Sequence, residues 1–209
     1  MSTRSGRIRS STSLGGLVPL MVQRRTGLYS SPEAFWWLCA DNKPLRLERS
    51  ARGEVIAMWP AGADSGMRNL DIAMQLGNWA RVDGTGVGFG SCAGFTLPDG
   101  SVLSPDASWI VRDRWLALTK EDRLKFAPIC PDFVVELVSP TDRLSNLRKK
   151  MRKYLSQGVR LGWLLDPKTG LGEIYRPGRD PETLDRPATL SGEDVLPGFV
   201  LELGGILSD

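Results

Sequence analysis

The stretch Asp132-Phe133-Val134-Val135-Glu136-Leu137-Val138 constrains the fold of this chain more than any other. A near-continuous apolar run of this length suits a central strand covered on both faces. Such a strand needs a layer of structure above it and another below. The segment that follows, Leu144 to Gln157, has the spacing of an amphipathic helix, and Gly158 stands where a C-cap is expected. Leu161 to Leu165 and Gly172 to Tyr175 read as further strands around the turn Asp166-Pro167-Lys168-Thr169-Gly170.

Upstream, Ser31-Pro32-Glu33 opens a helix that runs to about Cys39, with Ser as N-cap and Pro in the first turn. Leu45 to Arg49 and Glu54 to Trp59 read as a hairpin, and Pro60 to Gly66 as a loop before a second helix carrying Leu70, Ile72, Ala73, Leu76 and Trp79. The glycines of Asp83 to Gly90 alternate, which suits a turn entering a strand better than a phosphate loop. Phe95 to Leu97 and Val102 to Val111 flank Pro98-Asp99-Gly100 as two strands, and Thr119 with Asp122 forms a capping box for a helix ending near Phe126. Phe199 to Leu203 is a final strand. This order predicts a mixed α/β fold with helices covering a central sheet.

The chain has 209 residues and no histidine. That absence excludes Ser-His-Asp triads, Cys-His pairs, HExxH zinc sites and any imidazole base. Cys39, Cys92 and Cys130 are widely spaced, forming neither a CxxC motif nor a disulfide framework, which suits a reducing cytoplasm. No run approaches the ~18 apolar residues of a spanning helix, so no membrane is expected. Leu14 to Val22 loosely resembles a signal segment, but Pro19 interrupts it and Arg24-Arg25 follow it. Residues 1–27 are expected to be a disordered or mis-started basic tail, and residues 28–209 a single domain.

The net charge of +3 is unevenly distributed. Arg4, Arg7, Arg9, Arg24 and Arg25 precede the first acid, Glu33; removing these five from 27 basic residues leaves 22 against 24 acidic ones, about −2 for the body. A protein that coats nucleic acid through a uniformly basic surface is therefore not expected. The remaining basic charge clusters in Arg143, Arg148, Lys149, Lys150, Arg152, Lys153 and Arg160, with no acid among them. The cluster reads either as a solvated helix face or as a phosphate-facing patch.

Two carboxylates stand in unusual places. Glu136 interrupts the apolar strand, and Asp106 falls inside the segment Val102 to Val111. A buried ionised carboxylate costs several kcal/mol unless it is paired or binds a metal. Glu136 needs a strong partner, whether an arginine or a metal; Asp106 could equally bond a nearby backbone N–H. The third candidate is on the helix. At about 100° per residue from Leu144, the residues Leu147, Met151, Tyr154 and Leu155 form the sheet-facing arc, and Lys150 falls near 240°, at its edge. Lys150 is thus the lysine best placed to lean over the sheet, either as a snorkelling side chain or as a functional one. Two acids and a lysine suffice for metal-dependent phosphodiester cleavage: oxygen ligands hold Mg²⁺, and a lysine orients the nucleophile or stabilises developing charge.

The segments Ser104 to Trp109, Pro131 to Asp142, Lys150-x-x-x-Tyr154-Leu155-x-x-Gly158-Val159, Gly162 to Pro167 and Val195 to Phe199, together with Gly53 to Met58, resemble in order and spacing the Uma-two family. Its members are restriction-endonuclease-like proteins of the PD-(D/E)XK superfamily, and the match spans about residues 28–205. The resemblance implies a restriction endonuclease-like three-layer α/β core, with a central mixed sheet flanked by helices and an N-terminal β-hairpin extension. It implies Asp106 and Glu136 as catalytic metal ligands for Mg²⁺ or Mn²⁺, and Lys150 as a catalytic lysine. The superfamily lysine two residues after the acid is replaced here by Val138. Glu48 lies in the early strand where relatives often have an acid, which implies an auxiliary metal ligand; read from its neighbours alone it is a surface strand residue. Asn69 takes a position where many relatives carry histidine, and is a candidate auxiliary residue. Arg148 or Arg152 would touch phosphate. The implied activity is that of a metal-dependent DNA endonuclease, a homodimer by class analogy; the alternative is a nuclease-fold binding or regulatory module with weak or no catalysis.

Overall fold

The computed structural model describes residues 20–21, 31–42, 45–58 and 60–207. The expected basic tail, residues 1–27, lies outside them apart from Leu20–Met21. The elements in chain order are β1 (Leu20–Met21), α1 (Pro32–Asp41), β2 (Arg46–Arg49), β3 (Val55–Met58), α2 (Ala63–Asp83), β4 (Gly86–Gly90), β5 (Phe95–Thr96), β6 (Val102–Leu103), β7 (Ala107–Val111), α3 (Arg112–Leu116), α4 (Lys120–Arg123), β8 (Phe133–Leu137), α5 (Leu144–Gln157), β9 (Leu161–Asp166), β10 (Leu171–Tyr175), β11 (Glu182–Asp185), β12 (Thr189–Ser191) and β13 (Val200–Glu202).

The central sheet has the order β11-β10-β9-β8-β7-β4. β8 and β9 run parallel, joined by α5; the other pairs are antiparallel. The sheet is therefore mixed. Side chains of β8 alternate between its faces. Phe133, Val135 and Leu137 pack with Ile72, Leu76 and Ala80 of α2 and with Leu190 and Leu201 of the β12–β13 hairpin. Val134 faces the other way, into a cluster with Met151 and Tyr154 of α5. Glu136 shares the face of Val134 and so lies under α5. Three layers result: α2 with the C-terminal hairpin, the sheet, and α5.

Two local features seat α5. Gly158 ends it at φ +116°, where a side chain would be strained. Gly162 of β9 lies so close beneath the helix that a β-carbon there would be 2.6 Å from Met151 Cε. Met151 and Tyr154 are buried at the contact. Burial of an apolar side chain of this size contributes about 1.5–3 kcal/mol.

A second sheet, of order β1-β3-β2-β6-β5, takes up the early hairpin. The hairpin pairs through Arg49 and Val102, so it is integrated into this sheet. The expectation of one strand from Val102 to Val111 is corrected here. Pro105 has no N–H to place in a ladder, and the chain turns at Ser104–Pro105 from β6 in one sheet to β7 in the other. The loop expected over Pro60 to Gly66 is also shorter: α2 begins at Ala63, with Asp64 in its first turn, where the helix dipole favours an acid. The Thr119–Asp122 capping box is present, although α4 ends at Arg123. The short elements α3, β11 and β12 carry no strong periodicity and are not expected from the sequence.

Candidate active site

The corner at Ser104–Pro105 is where the two sheets meet, and charged residues from several elements converge on it. The β7–β8 register pairs Ala107 with Val135. Carried one step further, it puts Asp106 opposite Glu136. Asp106 is held on both sides: its N–H donates to the Val135 carbonyl at 3.0 Å, and its Oδ2 accepts the Leu137 N–H at 2.9 Å. Its Oδ1 accepts from Arg46 Nη1 at 3.0 Å. Arg46 also donates through Nη2 to the Ser104 carbonyl.

Lys150 extends from the edge of α5 to the same point. Its Nζ lies 2.8 Å from Glu48 Oε1 and 2.8 Å from Glu136 Oε1. It also donates to the Ser104 carbonyl at 3.3 Å. Its side chain is only 13 % exposed, so it is a buried cation and not a snorkelling one. Tyr154, one turn further along α5, donates from its hydroxyl to Glu136 Oε1 at 3.1 Å. Glu48 accepts the Ser104 N–H at 2.9 Å.

The structure therefore brings Asp106, Glu136, Lys150 and Glu48 together. The reading of Glu48 as a surface strand residue is corrected: it is 4 % exposed and ion-paired to Lys150. Its burial comes from β6 and the Ser104 corner covering β2, a tertiary event that four residues of β2 do not reveal. Arg148 and Arg152 are not at this point. They leave α5 on the edge opposite Lys150, about 160–200° around the helix. Arg148 is engaged by the buried Glu173 of β10, donating from Nε at 2.8 Å. Glu173 also accepts from the Tyr175 hydroxyl at 2.6 Å. Arg152 is exposed on the Tyr175 side. Neither arginine stands beside Lys150. Asn69 makes no bond to the cluster. It lines, together with Arg46, a groove alongside it.

Arg46 and Tyr154 are the members that sequence reasoning does not single out for a role. Signals for both exist. Arg46 is two residues from Glu48 and so on the same face of β2, and Tyr154 is four residues from Lys150 on the same helix edge.

Three carboxylates, Glu48, Asp106 and Glu136, surround two cations, Arg46 and Lys150, which leaves an excess negative charge in a buried site. The consequence appears at Glu136. Burial pushes its carboxyl up to about 7; Lys150 opposes this, while Asp106 and Glu48 add to it. Burial also disfavours the charge on Lys150, but Glu136 and Glu48 outweigh it and hold the ammonium above its ordinary range. Burial and the same two acids raise Tyr154, which stays a neutral donor.

The donor set fits a hard divalent cation: all oxygen, carboxylate-rich and short of positive charge. Among the described residues no three His, Cys, Asp or Glu side chains already stand as a ready metal cluster. Lys150 and Arg46 occupy the spaces between the acids.

A mixed sheet between helical layers, with these acids at the corner of β7 and β8, is a restriction endonuclease-like fold. The chain belongs to the Uma2 family, whose model, described as "Putative restriction endonuclease", matches residues 32–204. A crystal structure described as a "putative nuclease belonging to DUF820" from Anabaena variabilis shares the fold with a TM-score of 0.66 at 19% identity, covering 79% of this chain and 90% of that one. Comparison with curated proteins gives no match. Family and fold together support a nuclease. No helix among the described residues is long and apolar enough to cross a membrane.

Proposed function

We propose that this chain is a metal-dependent DNA endonuclease. The observation that carries the reading is Lys150 Nζ at 2.8 Å from both Glu48 and Glu136, with Asp106 opposite Glu136 in the sheet register. Asp106, Glu136 and Glu48 would hold Mg²⁺ or Mn²⁺. Such an ion, when bound, lowers the pKa of water and offsets charge on a phosphate. The protein's own groups do the rest. Tyr154 and Lys150 both bond Glu136 Oε1, which orients that carboxylate. The Lys150 ammonium supplies a fixed positive charge where negative charge develops on the phosphate, in a site of low dielectric. Arg46 holds Asp106 through Oδ1 and adds a second cation at the same place. None of these roles requires histidine.

The test is plasmid cleavage with added Mg²⁺ or Mn²⁺. Activity that depends on metal and is lost in Glu136→Ala and Lys150→Ala supports the reading. Metal-replete protein that nicks neither supercoiled, linear nor single-stranded DNA refutes it. A second reading, a nuclease-fold binding module, is favoured by one observation: each acid of the site is already engaged by a cation or a backbone N–H. It predicts no saturable Mg²⁺ binding that Asp106→Ala abolishes. The homodimer rests on class analogy and is tested by sedimentation.

A further inference from the structure

Between Asp142 and Asp166 the chain has seven basic residues and no acid. Taking these seven from the 22 basic residues of the body leaves 15 against 24 acids, about −9 for everything else. The charge of the molecule is therefore one-sided. Most of its surface repels a polyanion, and this stretch attracts one.

Three of the seven have acidic partners: Arg148 with Glu173, Lys150 with Glu48 and Glu136, and Lys153 with Asp99. The other four, Arg143, Lys149, Arg152 and Arg160, are exposed, and their side chains make no hydrogen bond or ion pair among the described residues. Lys149 and Arg152 stand on the outer side of α5. With Leu144 at zero, Lys149 falls near 140° and Arg152 near 80°, and Ser145 and Ser156 fall between them. The arc that packs on the sheet lies on the far side, about the buried Met151. Phosphate oxygens take hydrogen bonds from lysine, arginine and serine side chains, the residue types of this outer face. A helix of 14 residues is about 21 Å long, the length of about six base pairs. Lys150 leaves the helix about 100° round from Lys149, so the face adjoins the acid cluster without being part of it.

The same face suits neither a lipid surface nor a protein partner. α5 buries Met151 and Tyr154 of its apolar arc on the sheet, and none of the large exposed hydrophobic side chains among the described residues lies within 143–165. A helix that binds a membrane surface needs an apolar side to insert, and a protein interface needs an apolar centre. Unpaired cations without apolar surface match a nucleic-acid backbone.

We infer that the outer face of α5 binds the phosphate backbone of duplex DNA. Lys149 and Arg152 make the contact, with Arg143 and Arg160 at the two ends of the helix, and the phosphates held are not the one that would react. The inference rests on the nuclease reading for its choice of DNA, but its first test involves no cleavage.

The experiment measures binding of the full chain to a labelled DNA duplex in EDTA, by fluorescence anisotropy over a series of salt concentrations. Each phosphate contact contributes about 0.9 to the slope of log affinity against log salt. Lys149→Ala and Arg152→Ala should each make the slope shallower by about 0.9, and the double variant should bind at least about ten-fold more weakly at about 0.1 M salt. Arg81→Ala removes the same charge from an exposed position on α2, in the opposite layer, and should leave the slope unchanged. The tail arginines are common to all these proteins and cancel in the comparison. Circular dichroism checks that the variants fold. A parent chain that does not bind the duplex, slopes that do not move in the α5 variants, or an equal change in Arg81→Ala would each overturn the inference. So would tighter binding to an RNA duplex, or binding to phosphatidylserine vesicles that the α5 variants lose while they keep their affinity for DNA. A second arm measures metal-dependent plasmid cleavage. Cleavage by a chain whose slopes do not move removes the α5 face and leaves the nuclease standing. The expected slopes with no cleavage of any DNA support the face and remove the nuclease reading.

Discussion

Replacing Glu136 by glutamine should change how stability depends on pH, and the size of the change follows from the site. Glu136 is 3 % exposed, and its carboxyl is raised from 4.5 to about 7 by burial and by Asp106 and Glu48, against Lys150. A tenfold change in proton affinity corresponds to about 1.4 kcal/mol, so the full effect is about 3 kcal/mol. The folded chain keeps this proton through a range in which the unfolded chain has lost it. Stability contributed by Glu136 is therefore present below about pH 4.5 and is lost as the pH rises through about 7. Between pH 5 and pH 8 the residue should cost the parent chain about 2–3 kcal/mol. Glutamine keeps the shape and has no proton to lose. Urea unfolding of both proteins in EDTA at the two pH values reads the effect, and the difference between the proteins cancels the titrating groups that do not touch the cluster. The expected result is that Glu136→Gln gains on the parent chain by that amount at pH 8. A difference that does not move with pH, or that moves in favour of the parent, would mean that Lys150 fully compensates Glu136 and that the cluster holds no excess buried negative charge.

The other predictions concern the same cluster and its neighbour. Mg²⁺ at 100 times Kd should stabilise the parent chain by about 2.7 kcal/mol and so raise its thermal midpoint, and leave Asp106→Ala unmoved in the same melt. Tyr154→Phe removes a donor from a buried carboxylate and should cost about 1–3 kcal/mol in urea unfolding, with a lower kcat for DNA cleavage and Mn²⁺ affinity reduced in calorimetry. Arg148→Ala exposes the opposite edge of α5. It should cost about 1–3 kcal/mol, because Glu173 loses its cation but keeps Tyr175, while plasmid cleavage continues at the parent rate.

How far the site can be read before folding differs residue by residue. Glu136 is conspicuous, because an acid in an apolar strand has few explanations. The place of Lys150 at the edge of the sheet-facing arc follows from helix geometry, since α5 begins at Leu144 and ends at Gln157 as its spacing indicates, but that geometry left a snorkelling side chain equally open. Asp106 is legible as unusual but not as positioned: its place in the corner depends on Pro105 ending β6, and on the register that sets it opposite Glu136. Glu48 is hidden from such a reading, because burial of a strand is decided by what covers it. Arg148 lies on the edge of α5 away from Lys150, paired with Glu173, because a run of basic residues on one helix says nothing about which edge meets which strand. Glu173, its partner, reaches the same face of the sheet through the register Glu136–Leu164–Glu173.

The sequence by itself determined the longer local elements and the two-period alternation that puts Val134 and Glu136 on one face of β8 and Phe133, Val135 and Leu137 on the other. It also determined, by omitting histidine, that any catalysis rests on carboxylates, lysine and their like. Only the tertiary structure decided that β2 folds over the Ser104 corner and delivers Arg46 and Glu48 to Lys150 and Asp106. Contacts between residues 46 and 106, or 48 and 150, depend on how two sheets meet. Local periodicity carries no information about that meeting, because the energy that fixes it is shared among side chains distant in the chain.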